Sequence, residues 1–230
     1  MGTRSLTPRS PAGRAAARPR LSVERVKRAA LKQIERDGLA AFSLRRIASE
    51  LRCEPMSLYH YFPSKGHLLD ALVDDAMASV VTAPRETDPF ERLRLLAYSY
   101  RAMAHRHPKL FQLVAVHRLN TPTGVKAIDQ VLALARDAVG DERLAAQYFR
   151  VFGYYLTGAA LDETAGYALG PSAAEPVTEA YVDLECPRLA AAAPYFKPKY
   201  WDSTFELGLV GLLAAMRAHA KGVASAAGVR

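Results

Sequence analysis

Apolar residues recur every three or four positions along most of the chain, the spacing of one buried stripe on an α-helix. Val23, Val26, Ala30 and Ile34 predict a first helix, with Ser22 as its N-cap and Gly38 placed to end it in a left-handed conformation. Leu44, Ile47, Ala48 and Leu51 predict a second, capped by Ser43, with Phe42 just outside it and set to pack on Ile47 as a hydrophobic staple. The turn Arg52-Cys53-Glu54 leads to Pro55, which suits the first position of a third helix because its missing N–H loses no bond there. That helix is short and ends near Phe62. Pro63 breaks it, and Ser64 caps a fourth helix reaching about Val81, with Leu68, Leu69, Leu72, Val73 and Met77 as its stripe.

Helical spacing continues to the end. Asp88-Pro89 opens a segment ending near Arg106. Pro108 opens a short one through about Arg118, and Thr121-Pro122 another that Gly140 ends. Asp141 caps a long apolar helix reaching about Gly166. Gly170, Pro171 and Pro176 mark a loop over 166–186 with a helical piece around Val177–Leu184, and Pro187 to Ala193 reads as one short helix. Asp202 or Ser203 caps a last helix through about Lys221. Nothing alternates with period two for long enough to make a sheet, so the expected fold is all-α: a three-helix N-terminal helix-turn-helix head and a larger helical body.

Half of the 230 residues are apolar, which supports a substantial core and excludes a wholly disordered chain. The longest apolar run, Leu207 to Met216, is half of the ~20 residues a membrane-spanning helix needs. No membrane partner is therefore expected. Cys53 and Cys186 stand far apart in no metal-ligand spacing, which points to a reduced, cytoplasmic setting. Charge divides the chain sharply. Residues 1–66 hold 14 Lys and Arg against 5 Asp and Glu; the rest hold 17 against 18. A basic module on a neutral body suggests a polyanion-binding head. Residues 1–20 carry five arginines, three prolines and no acid, and read as a flexible arm. It either reaches a minor groove or phosphates, or is a leader with no specific role.

The third helix concentrates the chemistry. Leu58 and Phe62 lie four apart and anchor it; the other face carries Met56, Ser57, Tyr59, His60 and Tyr61. Hydroxyls, an imidazole and helix-start N–H groups are phosphate donors. Lys65 adds its charge at the start of the fourth helix. Arg45 has the fork geometry for a guanine edge or a phosphate, and Arg46 suits a backbone contact beside Ser43. The plain alternative for Tyr59, His60 and Tyr61 is packing between helices three and four.

The runs Ser43-Leu44-Arg45-Arg46-Ile47-Ala48 and Pro55-Met56-Ser57-Leu58-Tyr59-His60-Tyr61-Phe62-Pro63-Ser64-Lys65, followed by Leu68-Leu69-Asp70-Ala71-Leu72, resemble the DNA-binding head of the TetR family of transcriptional regulators. The specific likeness covers about residues 22–75. It implies that Arg45 reads a base, that Ser57 and Tyr59 face the groove, and that Tyr61 and Lys65 contact phosphate. One departure is Arg52, where the family usually has glycine; a left-handed non-glycine residue costs roughly 1 kcal/mol. The division expected is a basic arm (1–20), a helix-turn-helix domain (21–66) and a ligand-binding and dimerisation domain (67–230).

Two segments of the body, 144–161 and 205–216, are apolar on more than one side, which fits either a four-helix homodimer interface or fully buried helices in a monomer. Tyr98, Met103, Phe111, His117, Tyr148, Phe152 and Tyr155, with Trp201, are candidates to line a small-molecule pocket, though each alone also suits a core. Asp162 and Glu163 follow an apolar run and read as a solvated helix end, with a meeting with a cationic group as the alternative. His105 and His107, two apart beside Pro108, read as cations at a helix C-terminus rather than a metal pair. No metal or other cofactor is expected. The chain has no G-x-S-x-G, P-loop, H-E-x-x-H or glycine-rich dinucleotide turn, so no enzyme is expected. The reading is a dimeric repressor released from a palindromic double-stranded DNA operator by a small, mostly apolar effector. The alternative is a DNA-binding architectural or accessory factor with no ligand switch.

Overall fold

The computed structural model describes residues 20–165 and 172–227. Apart from Arg20, the basic arm lies outside the described residues, as do Gly166, Gly170 and Pro171. Among the described residues the chain forms eleven α-helices, three short 3₁₀ turns and no strand. The helices are α1 (Val23–Asp37), α2 (Leu44–Leu51), α3 (Pro55–Tyr59), α4 (Lys65–Ala78), α5 (Pro89–Arg106) and α6 (Pro108–Val114). They continue with α7 (Pro122–Val139), α8 (Glu142–Ala165), α9 (Glu179–Glu185), α10 (Pro187–Ala192) and α11 (Trp201–Ala227).

Local chemistry sets most of these boundaries. Oxygens of Ser22, Ser64, Asp88, Thr121 and Asp141 each accept a backbone N–H three residues on, at 2.8–3.3 Å. Gly38 (φ 82°) and Gly140 (φ 73°) end α1 and α7. Ser43 departs from expectation: it stands at the start of α2, but its hydroxyl makes no capping bond. Val23 faces solvent, and the buried stripe of α1 is Val26, Ala29, Ala30, Gln33 and Ile34. α6 stops at Val114 rather than near Arg118, because Val116 and Arg118 have no apolar wall to face. α11 starts at Trp201, which places Asp202 inside its first turn.

Packing gathers the helices around two cores. The first joins Val26, Ile34, Ile47, Leu58 and Leu72 of α1–α4 to Met103, Leu110, Phe111 and Ala160 of α5, α6 and α8. The head therefore does not close on itself; α6 seals it. Both oxygens of Glu35 on α1 accept the first N–H groups of α6, from Lys109 at 3.3 Å and Leu110 at 3.0 Å. Lys109 Nζ returns a bond to Arg36 O at 2.7 Å. The second core joins Leu93, Leu134, Tyr148, Phe152, Phe205, Leu209 and Met216 of α5, α7, α8 and α11.

An ion network centred on two buried side chains ties the end of the body next to the head. Glu163 is buried, not solvated, and its Oε2 accepts Arg101 Nε at 2.7 Å and lies 2.6 Å from His105 Nε2. Arg101 also donates to Asp202 Oδ1 at 2.8 Å, joining α5, α8 and α11. Tyr155 of α8 stacks on Phe205 and donates to its carbonyl oxygen at 2.5 Å. Its ring covers Gly208, where a Cβ would meet the hydroxyl oxygen and two ring carbons at 2.5–2.7 Å.

On the outer side, α8 leaves Val151, Tyr154 and Gly158 exposed, and α11 leaves Leu207, Val210 and Gly211 exposed. No side chain of residues 172–200 is buried. Among the described residues, no helix is long and apolar enough to cross a membrane.

Arg52 adopts φ 55°, ψ 46°, the one left-handed non-glycine residue among those described. Glycine meets no steric penalty there but loses more chain entropy on folding. Arg52→Gly is expected to stabilise the fold by about 0.5–1 kcal/mol, read as a higher midpoint in thermal or urea unfolding; an unchanged or lower midpoint refutes the strain.

Candidate nucleic-acid interface and ligand cavity

The helix-turn-helix is built from the inside outward. Leu58 and Phe62 are buried and hold α3 against α1, α2 and α4, turning the opposite face outward. On that face Met56 is 69% exposed and Tyr59 42% exposed, a costly display of apolar surface for a side that meets only water. His60 is exposed beside them and Ser57 is half-buried. Arg45, on the outer side of α2, is exposed and makes no ion pair among the described residues.

The remaining expected residues carry internal bonds. Arg46 Nη2 lies 3.1 Å from Asp37 Oδ2. The Asp37 carboxyl is held below the ordinary range first by its hydrogen bond with Arg36 and further by the charges of Arg36 and Arg46. Tyr61 donates its hydroxyl to Leu21 O at 2.9 Å, fixing the residue where the basic arm joins α1. Lys65 donates to Phe42 O at 3.1 Å and sits 5.1 Å from the centre of the Phe42 ring. That leaves two of its three N–H donors for an outside partner. Ser43 is half-buried, and its backbone N–H is accepted by Gln33 Oε1 at 3.1 Å. Gln33 is one of three buried polar or charged residues among those described, and the periodicity of α1 gave no sign of its task. Its only signal was a polar residue inside an otherwise apolar stripe.

Below α6 the body encloses a cavity of about 240 Å³ between α5, α7 and α8, closed at one end by Met216. Of the expected pocket residues, His117, Tyr148 and Phe152 line it. The others stand elsewhere. Met103 and Phe111 are wholly buried in the head's core, Tyr98 donates to Glu206, and Tyr155 packs on α11. Trp201 lies against His105. Tyr100, Phe149 and Thr157 line the cavity without having been singled out by their spacing. Tyr100 and Thr157 bond each other at 3.2 Å, and Tyr148 bonds His219 Nδ1 at 2.6 Å. Burial pushes the Tyr100 and Tyr148 hydroxyls above their ordinary pKa, so both stay protonated near neutrality.

His117 leads out of the cavity. Its Nε2 lies 2.9 Å from Asp70 Oδ1, and four residues on, Thr121 donates to Asp74 Oδ1 at 2.6 Å. Both carboxylates are on α4, the helix that begins with Lys65. Among the described residues no three His, Cys, Asp or Glu side chains gather as a metal site. His107 is half-buried, and burial lowers its pKa.

The chain matches the model of bacterial regulatory proteins, tetR family, over residues 28–72, and that of the tetracyclin repressor-like C-terminal domain over residues 83–220. It is similar to the HTH-type transcriptional repressor DrrR1 of Streptomyces coeruleorubidus, 33% identical over 146 residues, 62% of this chain and 54% of the relative. An HTH-type transcriptional regulator of Saccharopolyspora erythraea is 30% identical over 162 residues, 70% of this chain and 63% of the relative. The chain thus matches less than two thirds of the length of either relative. The crystal structure of the Streptomyces coelicolor TetR family protein ActR in complex with actinorhodin aligns with a TM-score of 0.68 at 25% identity. It covers 88% of this chain and 99% of that one.

Because Gln33 Oε1 is the acceptor for the N–H that opens α2, Gln33→Leu keeps the volume and strands the donor. Unfolding midpoints should show a loss of about 1–2 kcal/mol. An isostable variant would mean that water replaces the amide at no cost.

Proposed function

Given that the chain belongs to the TetR family of bacterial regulatory proteins, we propose that it is a DNA-binding transcriptional repressor that a small, mostly apolar ligand releases from a palindromic operator. The observation that carries this reading is the outer face of α3. An exposed Met, Tyr and His beside an unpaired arginine, on a short helix anchored from behind, suits the floor of a major groove. Residues 21–66 are the reading head and 67–230 the ligand-binding and dimerisation body, with the basic residues 1–20 adding charge beside the head.

In this reading Arg45, Ser57 and Tyr59 face bases, with Met56 and His60 at their edge. Lys65 supplies a phosphate contact through its remaining donors, and Tyr61 and Arg46 position the backbone around them. The exposed stripes of α8 and α11 support a homodimer, since two patches of Val, Tyr, Leu and Gly are self-complementary across a two-fold axis. Two linked heads then read half-sites a helical turn apart. The ligand enters the cavity beneath α6; the likeness to ActR, whose structure holds actinorhodin, supports a ligand-responsive body of this kind. Displacing His117 or α6 shifts α4, and the spacing of the heads with it. By linkage, operator DNA weakens ligand binding by the same factor as ligand weakens DNA.

The deciding experiment is capture of fragmented genomic DNA by the purified protein at near-physiological salt, followed by sequencing. Enrichment of a few palindromic sites is expected. Uniform recovery would favour an architectural factor that holds phosphate without reading sequence.

On such a site, Lys65→Met keeps the stem against Phe42 and removes the charge. It should weaken binding to all sequences alike and shallow the slope of log K against log salt by about 0.9 for each phosphate no longer neutralised; an unchanged slope ends its phosphate role. Arg45→Ala should instead cost about 1–3 kcal/mol at the preferred base and relax the preference there, measured by competition among single-base operator variants. An equal loss for every base would make Arg45 a backbone contact.

A further inference from the structure

Two buried side-chain nitrogens lack a hydrogen-bond partner among the described residues, Arg92 Nε and His117 Nδ1. Buried polar atoms are nearly always paired, so each orphan asks for an explanation. They stand on two adjoining hollows. His117 lines the inner cavity and Arg92 lines an outer groove between α5 and α7. The two spaces share Met77, Val80, Leu96, Ala127 and Val131 as walls.

We infer that the effector is an amphipathic organic acid, with a ring-shaped apolar body in the inner cavity, a hydroxyl donated to His117 and a carboxylate held at the mouth by Arg92. The inference rests on the ligand-switch reading above and names the chemistry of that ligand.

Each end follows from the donors present. Asp70 is an acceptor only, so His117 Nε2 carries the proton of their 2.9 Å contact, and a ring with that single proton presents Nδ1 as a bare acceptor. Its partner must donate, as an O–H does. The other polar tips of the cavity, on Tyr100, Thr157 and Tyr148, already bond within the protein. At the mouth, Arg92 is 14% exposed, and its nearest carboxylate oxygen, Asp137 Oδ2, lies 4.0 Å from Nη1, beyond hydrogen-bond reach. A planar guanidinium offers a fork for two carboxylate oxygens. Arg85 and Lys126 line the same groove against Asp129 and Asp137, so positive charge leads at the mouth. The walls between are aliphatic and aromatic, and about 240 Å³ takes a body of two fused six-membered rings.

The test is calorimetric titration of the full chain with 6-hydroxy-2-naphthoate, 2-naphthoate and 2-naphthol. The hydroxy acid should bind tightest, and each missing group should weaken binding about tenfold. His117→Phe should erase the advantage of the hydroxy acid over 2-naphthoate and leave the carboxylate's advantage intact. Arg92→Met should do the reverse. Unchanged helical circular dichroism and a cooperative melting transition check that the variants fold; if either fails to fold, the three compounds on the unaltered chain decide alone. Equal affinity for all three, no binding by any, or preferences that survive both substitutions would overturn the inference. Release of labelled operator is read separately. A hydroxy acid that binds with both preferences yet leaves the operator bound supports this site and counts against the ligand-switch reading.

Discussion

The head cannot hold itself together, and the rest of the structure is arranged around that fact. A segment of some 45 residues buries too small a share of its surface to be secure alone. Here Leu110 and Phe111 of α6 complete its core, and Glu35 of α1 caps the first turn of α6 with both carboxylate oxygens. A buried helix start without acceptors would leave N–H groups stranded, so the carboxylate satisfies α6 and clamps it to α1 in one stroke. The head's position is thereby set by α6, and α6 sits on the cavity.

That placement explains why the cavity lies where it does. Val114 faces the head's core and also lines the cavity, so one short helix is wall to both. Beyond it the chain turns through His117 and Thr121, each bonded to a carboxylate on α4. α4 is thus held at two points by the segment that a ligand would press against. The end of the body next to the head is stiffened by the buried Arg101–Glu163 pair and its extension to Asp202.

Much of this was legible because it is local. The oxygens of Ser22, Ser64 and Thr121, Pro55 at a helix start, and Gly140 beyond a helix end each act within a few residues of themselves. The anchors Leu58 and Phe62 followed from one period of one helix. What periodicity does not carry is the identity of the neighbour. It marks Phe111 and Tyr148 alike as inward, yet Phe111 fills the head's core while Tyr148 lines the cavity. Glu163 reads as a helix end until Arg101, 62 residues earlier, arrives beside it. Gln33 looks like an interruption until Ser43 needs an acceptor. In each case the missing knowledge is a pairing across distant chain, which no window of local sequence contains.

The ring of Tyr155 over Gly208 has a mechanical meaning. It fills the space into which any other residue at 208 would grow, and its hydroxyl is pinned to the backbone of α11 three residues earlier. α8 and α11 are keyed together like a tenon in its mortise. Neither can slide along the other without lifting that ring out. The two helices that turn their apolar stripes outward therefore travel as one plank, and whatever tilts one of them must swing the plank whole.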